Sequence, residues 1–187
     1  MSLTQTDWTK RGGIVGRGIL LDYVAYAARN NTTYSPMSSH AITVTDLEAI
    51  ARDANLTFLP GDILMLRTGW TKWYDAATPS QRYESVTNAY EWCGVQGSEE
   101  TMAWIWNKHF SACVSDNNGF EVVPMAEGWR MHDYLLPLWG MPIGEMWDLE
   151  GLARECERQG RWSFFMTSAP LNLEGGCASP PNALAIF

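Results

Sequence analysis

The chain has 187 residues and a mass of 21.0 kDa, the size of one domain with room for a real core, and 46% of its residues are hydrophobic against 18% charged. Lys and Arg number 13 against 21 Asp and Glu, a formal net charge of −8 with no basic run, which argues against nucleic acid as a partner. No apolar run approaches the roughly 20 residues of a membrane span, and the first residues lack the basic and apolar regions of a signal peptide, so a cytoplasmic chain without membrane contact is expected.

In chain order, Gly12, Gly13, Gly16 and Gly18 follow Trp8 and precede Ile19-Leu20-Leu21, which reads as a loop running into a buried strand. The glycine order is not that of a dinucleotide-binding turn, so a structural turn is expected. A core strand this early, with little before it to pair with, predicts an exposed sheet edge. Residues 30–39 are polar, contain Pro36 and read as a surface loop with His40 at its margin. Thr45-x-x-Glu48 has the form of a capping box, and Leu47, Ile50, Ala51 and Ala54 behind it predict a helix over 45–54. After Pro60-Gly61-Asp62, the apolar run 63–67 predicts a buried strand that delivers Arg67, Thr68 and Trp70 to its far end.

Residues 74–97 are aromatic and irregular, with Thr78-Pro79-Ser80 opening a short helix. Ser98 caps a helix in which Met102, Ile105, Trp106 and His109 share one face, leaving His109 near the helix end as a packed or surface residue. Ala112-Cys113-Val114 is the next strand and leads to Asp116-Asn117-Asn118-Gly119. That carboxylate stands where site residues often do, yet the composition is also that of a turn.

The segment from His132 to Leu152 carries the chemistry. Pro137, Gly140, Pro142 and Gly144 prevent a single helix between His132 and Glu145, so the chain turns, and an imidazole and a carboxylate can meet on one divalent ion. Two ligands make half of a donor set. Asp148 then caps a helix with Leu149, Leu152, Ala153 and Cys156 inward, ending near Gly160, and residues 162–167 and 183–187 read as closing strands. The whole is a mixed α/β domain. Cys93, Cys113, Cys156 and Cys177 are too widely spaced for a disulfide framework or zinc knuckle, and reduced thiols are expected. The ten tryptophans, Trp70 and Trp139 among them, are candidates to hold a flat aromatic substrate, or else to fill the core or a dimer interface. No Gly-x-Ser-x-Gly elbow, phosphate loop or His-Glu-x-x-His is present.

Four stretches together carry a family resemblance: Gly13-Ile14-Val15-Gly16-Arg17-Gly18-Ile19-Leu20-Leu21-Asp22; Gly61-Asp62-Ile63-Leu64-Met65-Leu66-Arg67-Thr68-Gly69-Trp70; His132-Asp133-Tyr134-Leu135-Leu136 with Gly140-Met141-Pro142-Ile143-Gly144-Glu145 and Asp148-Leu149-Glu150; and Pro170-Leu171-Asn172-Leu173 with Gly175-Gly176 before Ser179-Pro180. In this the chain resembles the cyclase family that includes metal-dependent kynurenine formamidases and isatin hydrolases, its fungal branch above all. The resemblance implies a mixed, partly barrel-like β-sheet flanked by helices, of the swivelling β/β/α type, usually in a homodimer. It also implies hydrolysis of a small aromatic amide substrate, such as N-formylkynurenine in tryptophan catabolism or a cyclic amide. The expected cofactor is zinc or manganese, with His132 and Glu145 as the two late metal ligands.

The family's early ligands lie in a His-x-Gly-x-His-x-Asp-x-Pro-x-His pattern that this chain does not contain. After His40 the corresponding positions hold Ile42 and Val44, and after His109 they hold Ser111 and Cys113. Residues 1–187 are therefore expected to form a single cyclase-like domain without its early part, the missing pattern being encoded upstream. The alternative is a catalytically silent binding or interaction domain that keeps the fold.

Overall fold

A computed structural model describes residues 9–88, 90–171, 173–174, 176 and 178–187. Six strands form the main sheet, β1 (Ile14–Asp22), β3 (Ile63–Arg67), β5 (Ala112–Ser115), β6 (Ile143–Gly144), β7 (Ser163–Ser168) and β8 (Ala183–Ile186), in the order β6-β5-β3-β1-β7-β8. The first four of that order run parallel; β7 is antiparallel to β1, and β8 to β7. A second, two-stranded sheet pairs β2 (Ala41–Ile42) with β4 (Gly94–Val95). The main sheet is curled into a half-barrel and flanked by helices, as expected.

The flanking helices explain the unbroken apolar runs of the central strands, Ile19-Leu20-Leu21 in β1 and Ile63-Leu64-Met65-Leu66 in β3. On one face, α1 (Tyr23–Arg29), α2 (Val44–Asp53) and α5 (Glu99–Lys108) pack with Phe120, Met131 and Leu135 over Ile19, Leu21, Leu64, Leu66 and Cys113. On the other, α7 (Glu150–Gln159) and its cap residue Leu149 lay Leu149, Ala153 and Cys156 over Leu20, Ile63, Met65 and Val114, with Phe164 and Met166. A strand covered on both sides has no solvent face on which polar residues would alternate. Two further helices, α3 (Trp70–Ala76) and α4 (Pro79–Thr87), occupy part of the stretch that reads as irregular, the second opened by a capping box between Thr78 and Gln81.

Several local expectations are corrected. The strand over Ile19-Leu20-Leu21 begins at Ile14, so Gly16 and Gly18 lie inside β1 and not in a loop; a Cβ on Gly18 would be driven into the Phe164 ring that crosses it. Trp8, Asn172, Gly175 and Cys177 fall outside the described residues. Far from exposing an edge, β1 is paired on both sides, and the sheet ends at β6 and β8 among the described residues. The cap of α2 is Thr43 with Asp46, two residues earlier than Thr45 and Glu48, and Glu48 instead accepts from Trp104 Nε1 and Lys108 Nζ. In α5 the inward aromatic is Trp104, whereas Trp106 faces solvent and His109 is the left-handed residue that ends the helix.

Near its β8 edge the sheet loses its helical cover. Register places Val15, Thr167 and Leu184 in one row and Arg17, Phe165 and Ile186 in the next, on the same face. Val15, Phe165, Leu184 and Ile186 are 57%, 51%, 63% and 51% exposed, an open apolar strip on an edge sheet.

Candidate metal centre

The candidate site is assembled at the end of β5 by a loop whose polar side chains are consumed in tying it down. Asp116 is fully buried and accepts from Thr68 N (2.6 Å), Thr68 Oγ1 (2.7 Å) and Gly69 N (2.8 Å), closing the turn between β3 and α3. Burial pushes its carboxyl above the usual range against those hydrogen bonds. It is the anchor of a turn. Asn117 donates through Nδ2 to the carbonyls of Pro36 and Cys93, both at 3.1 Å, and its own carbonyl receives Met146 N at 3.0 Å. The loop is thereby fixed to the segment that carries Glu145.

His132 sits at the start of that segment, in the helical turn α6 (Met131–Asp133), which runs directly into a π-helical turn, Tyr134–Leu138. Pro137 lies inside the wider turn, where its missing N–H and its ring are tolerated, and the chain is released through Gly140 toward β6. The turn expected between His132 and Glu145 is thus present, and it brings His132 Nε2 to 3.1 Å from Glu145 Oε1. Glu145 Oε1 is held in turn by Phe120 N at 3.0 Å.

The other ring nitrogen meets a residue that sequence reading did not single out. Glu121, only 1% exposed, places Oε1 2.6 Å from His132 Nδ1 and accepts from the backbone N–H groups of Met131 and His132. Its sole sequence signal is a carboxylate inside the apolar run Phe120-Glu121-Val122-Val123, where a buried charge needs partners. Val95 bridges to it across β4, and at Gly94 a Cβ would lie 2.6 Å from the Glu121 carbonyl carbon, so only glycine admits this approach. The hydrogen bonds to Glu121 first, then to Glu145, raise the His132 pKa to about 10 against the opposing effect of burial.

Could this pair hold the divalent cation that the resemblance implies? Two donors about 2.1 Å from one ion and roughly at right angles are separated by about 3 Å, which is the observed Nε2 to Oε1 spacing. Imidazole and carboxylate suit zinc or manganese, and the Nδ1 partner is the carboxylate that metal-bound histidines commonly use. As a pair they fit. Among the described residues, no group of three or more His, Cys, Asp and Glu side chains can hold a metal ion.

The other sequence candidates lie apart. His40 Nε2 is 2.6 Å from the Tyr23 hydroxyl and its ring stacks on Tyr34. Trp70 is buried, stacked on Tyr74 at 4.8 Å, and its Nε1 has no hydrogen-bond partner. Trp139 packs on Trp106 and lines a small cleft of about 260 Å³ with Ile105, His109 and Phe110. A wider cleft of about 660 Å³ is lined by Trp73, Tyr90, Glu84, Glu91, Met37 and Pro124. Cys93, Cys113 and Cys156 are free and buried, and burial pushes their thiols up, Cys93 and Cys156 to about 12. None is placed as a nucleophile.

A curled mixed sheet whose parallel strands end at a His and Glu pair defines a cyclase-like fold. Residues 4–122 match the family described as Putative cyclase, and the chain belongs to it. A solved structure of a novel cyclase superposes with a TM-score of 0.82 at 30% identity, over 99% of this chain and 57% of that one. An isatin hydrolase A from Labrenzia aggregata, bound to benzyl benzoate, follows the same fold with a TM-score of 0.64 at 16% identity over 91% and 60%. A potential metal-dependent hydrolase with cyclase activity gives 0.53 at 21% identity over 91% and 64%. The chain thus spans less than two thirds of each of these structures. No curated protein matches it. Among the described residues no helix is long and apolar enough to cross a membrane.

Proposed function

We propose that the chain carries part of a metal-dependent hydrolase site for the C–N bond of an aromatic or cyclic amide. The observation that carries the reading is the His132 Nε2 to Glu145 Oε1 spacing of 3.1 Å, with both groups fixed by neighbours before any ligand arrives. A zinc or manganese ion held there would lower the pKa of water and polarise the amide carbonyl. The residues of this chain do the rest of the positioning. Glu145 is aimed by the Phe120 N–H, and His132 is aimed by Glu121.

The test is hydrolysis of N-formylkynurenine and of isatin by the purified chain with added zinc or manganese. Turnover is expected to vanish in His132→Ala. A second reading, the silent binding domain, is favoured by the absence of a third ligand among the described residues. Absence of both metal uptake and turnover in the wild-type chain would establish it in place of the hydrolase.

A further inference from the structure

We propose that Glu121 is the positioning residue of this site: it holds the Nδ1 proton of His132, so that the proton given up when a divalent cation binds beside Glu145 Oε1 is the one on Nε2. The inference rests on the metal-site reading above and adds to it a residue outside the His and Glu pair. Three observations carry it. Glu121 is sealed from water, so its carboxylate must find donors within the protein. It finds three, the backbone N–H groups of Met131 and His132 and the imidazole Nδ1 at 2.6 Å. Because two of these belong to the turn that carries His132, ring and backbone are referenced to one carboxylate, and the imidazole can neither flip nor swing without breaking that set.

A capping carboxylate with no part in the site would also bond the two backbone N–H groups. What distinguishes positioning is the third bond. Glu121→Gln preserves shape and one acceptor oxygen, for Met131 N–H, but the amide nitrogen it turns toward the His132 backbone and ring is a donor. An amide N–H facing Nδ1 leaves that nitrogen without an acceptor for a proton, so the ring keeps its proton on Nε2, the atom the cation needs.

The experiment pairs two readouts on the full chain, nitrogen-15 NMR of the His132 ring and calorimetric titration with zinc. In the metal-free wild type, a downfield, slowly exchanging Nδ1–H proton is expected, absent in Glu121→Gln. Zinc affinity is expected to fall about 10- to 100-fold in Glu121→Gln, as for other carboxylates behind a metal-bound histidine. Glu121→Asp, which keeps the charge, is expected to recover part of that affinity. If the wild type shows no such proton, or Glu121→Gln keeps it or binds zinc as the wild type does, the assignment is overturned. Should Glu121→Gln not fold, the zinc-loaded wild type decides: a protonated Nδ1 with zinc-shifted Nε2 supports the role, and the reverse removes it. If the wild type takes up no zinc, the metal reading falls by itself, while the Nδ1–H signal still decides what Glu121 does to the ring.

Discussion

At the scale of single residues, His132 and Asp116 set opposite problems for a titration. His132 is clamped between two carboxylates and its pKa stands at about 10, above the ordinary value of 6.5. A histidine whose folded pKa is raised contributes stability that is complete below the unfolded value and disappears as pH climbs through the folded one. The metal-free chain is therefore expected to lose stability between about pH 6.5 and pH 10, by about 1–3 kcal/mol, the worth of hydrogen bonds to a charged group. Urea midpoints across that window measure it, and His132→Ala should flatten the slope. A slope unchanged in the variant would assign the loss to other groups. Asp116 answers a different test. Asp116→Ala leaves the N–H groups of Thr68 and Gly69 buried without an acceptor, and a loss of about 3 kcal/mol in chemical denaturation is expected. A loss below about 1 kcal/mol would mean that water replaces the carboxylate at the turn.

Between elements, the joint to test is the one where β1, β3 and α7 converge. Arg67, the last residue of β3, donates through Nη1 to both oxygens of Asp22 at 3.0 Å, and through Nε and Nη2 to Glu150 at 2.8 Å. Glu150 chiefly, and then Asp22, hold the guanidinium charged against its own burial. Asp22 meanwhile caps α1 through Ala25 N, so one side chain locks a strand end to two helix starts. Arg67→Ala is expected to cost about 3–5 kcal/mol, because two sheltered carboxylates lose their cation, and Arg67→Lys should recover only part of it for want of the fork. Thermal denaturation of both variants checks this; equal midpoints for wild type and Arg67→Ala would sink it. This joint also shows what the sequence made legible. The run 63–67 reads as a strand because both faces are apolar, and its end at Arg67 is visible. The carboxylates that meet it are distant in the chain and announce nothing. Thr45 and Glu48 illustrate a different failure, since Thr43 and Asp46 offer the same capping chemistry two positions earlier and packing of Val44 selects them. Glu121 was invisible for the first reason: its partner is a ring nitrogen reached only when the chain closes over β4.

Across the whole molecule, two of the four family stretches fall on the central strands β1 and β3 and the third holds β6, whereas the fourth lies in sequence between β7 and β8. The site was half legible: His132 and Glu145 do meet, and the carboxylate behind them had no motif to mark it. The same scale shows a property of the protein as a material. A short edge strand with Leu184 and Ile186 turned outward, continuous with Val15 and Phe165, is a surface on which two chains can add strand to strand. With no basic gatekeeper on β8, concentrated solutions are expected to scatter light increasingly with protein concentration and on warming, well before the fold melts. Leu184→Lys should suppress that scattering while leaving the thermal midpoint within about 2 °C, since a solvent-facing side chain carries little of the folding energy. Light scattering followed against temperature for the two proteins is the measurement, and identical onsets would locate the weak point elsewhere. The open strip thus sets a ceiling on how concentrated this protein can be kept, and a single lysine is the means of raising it.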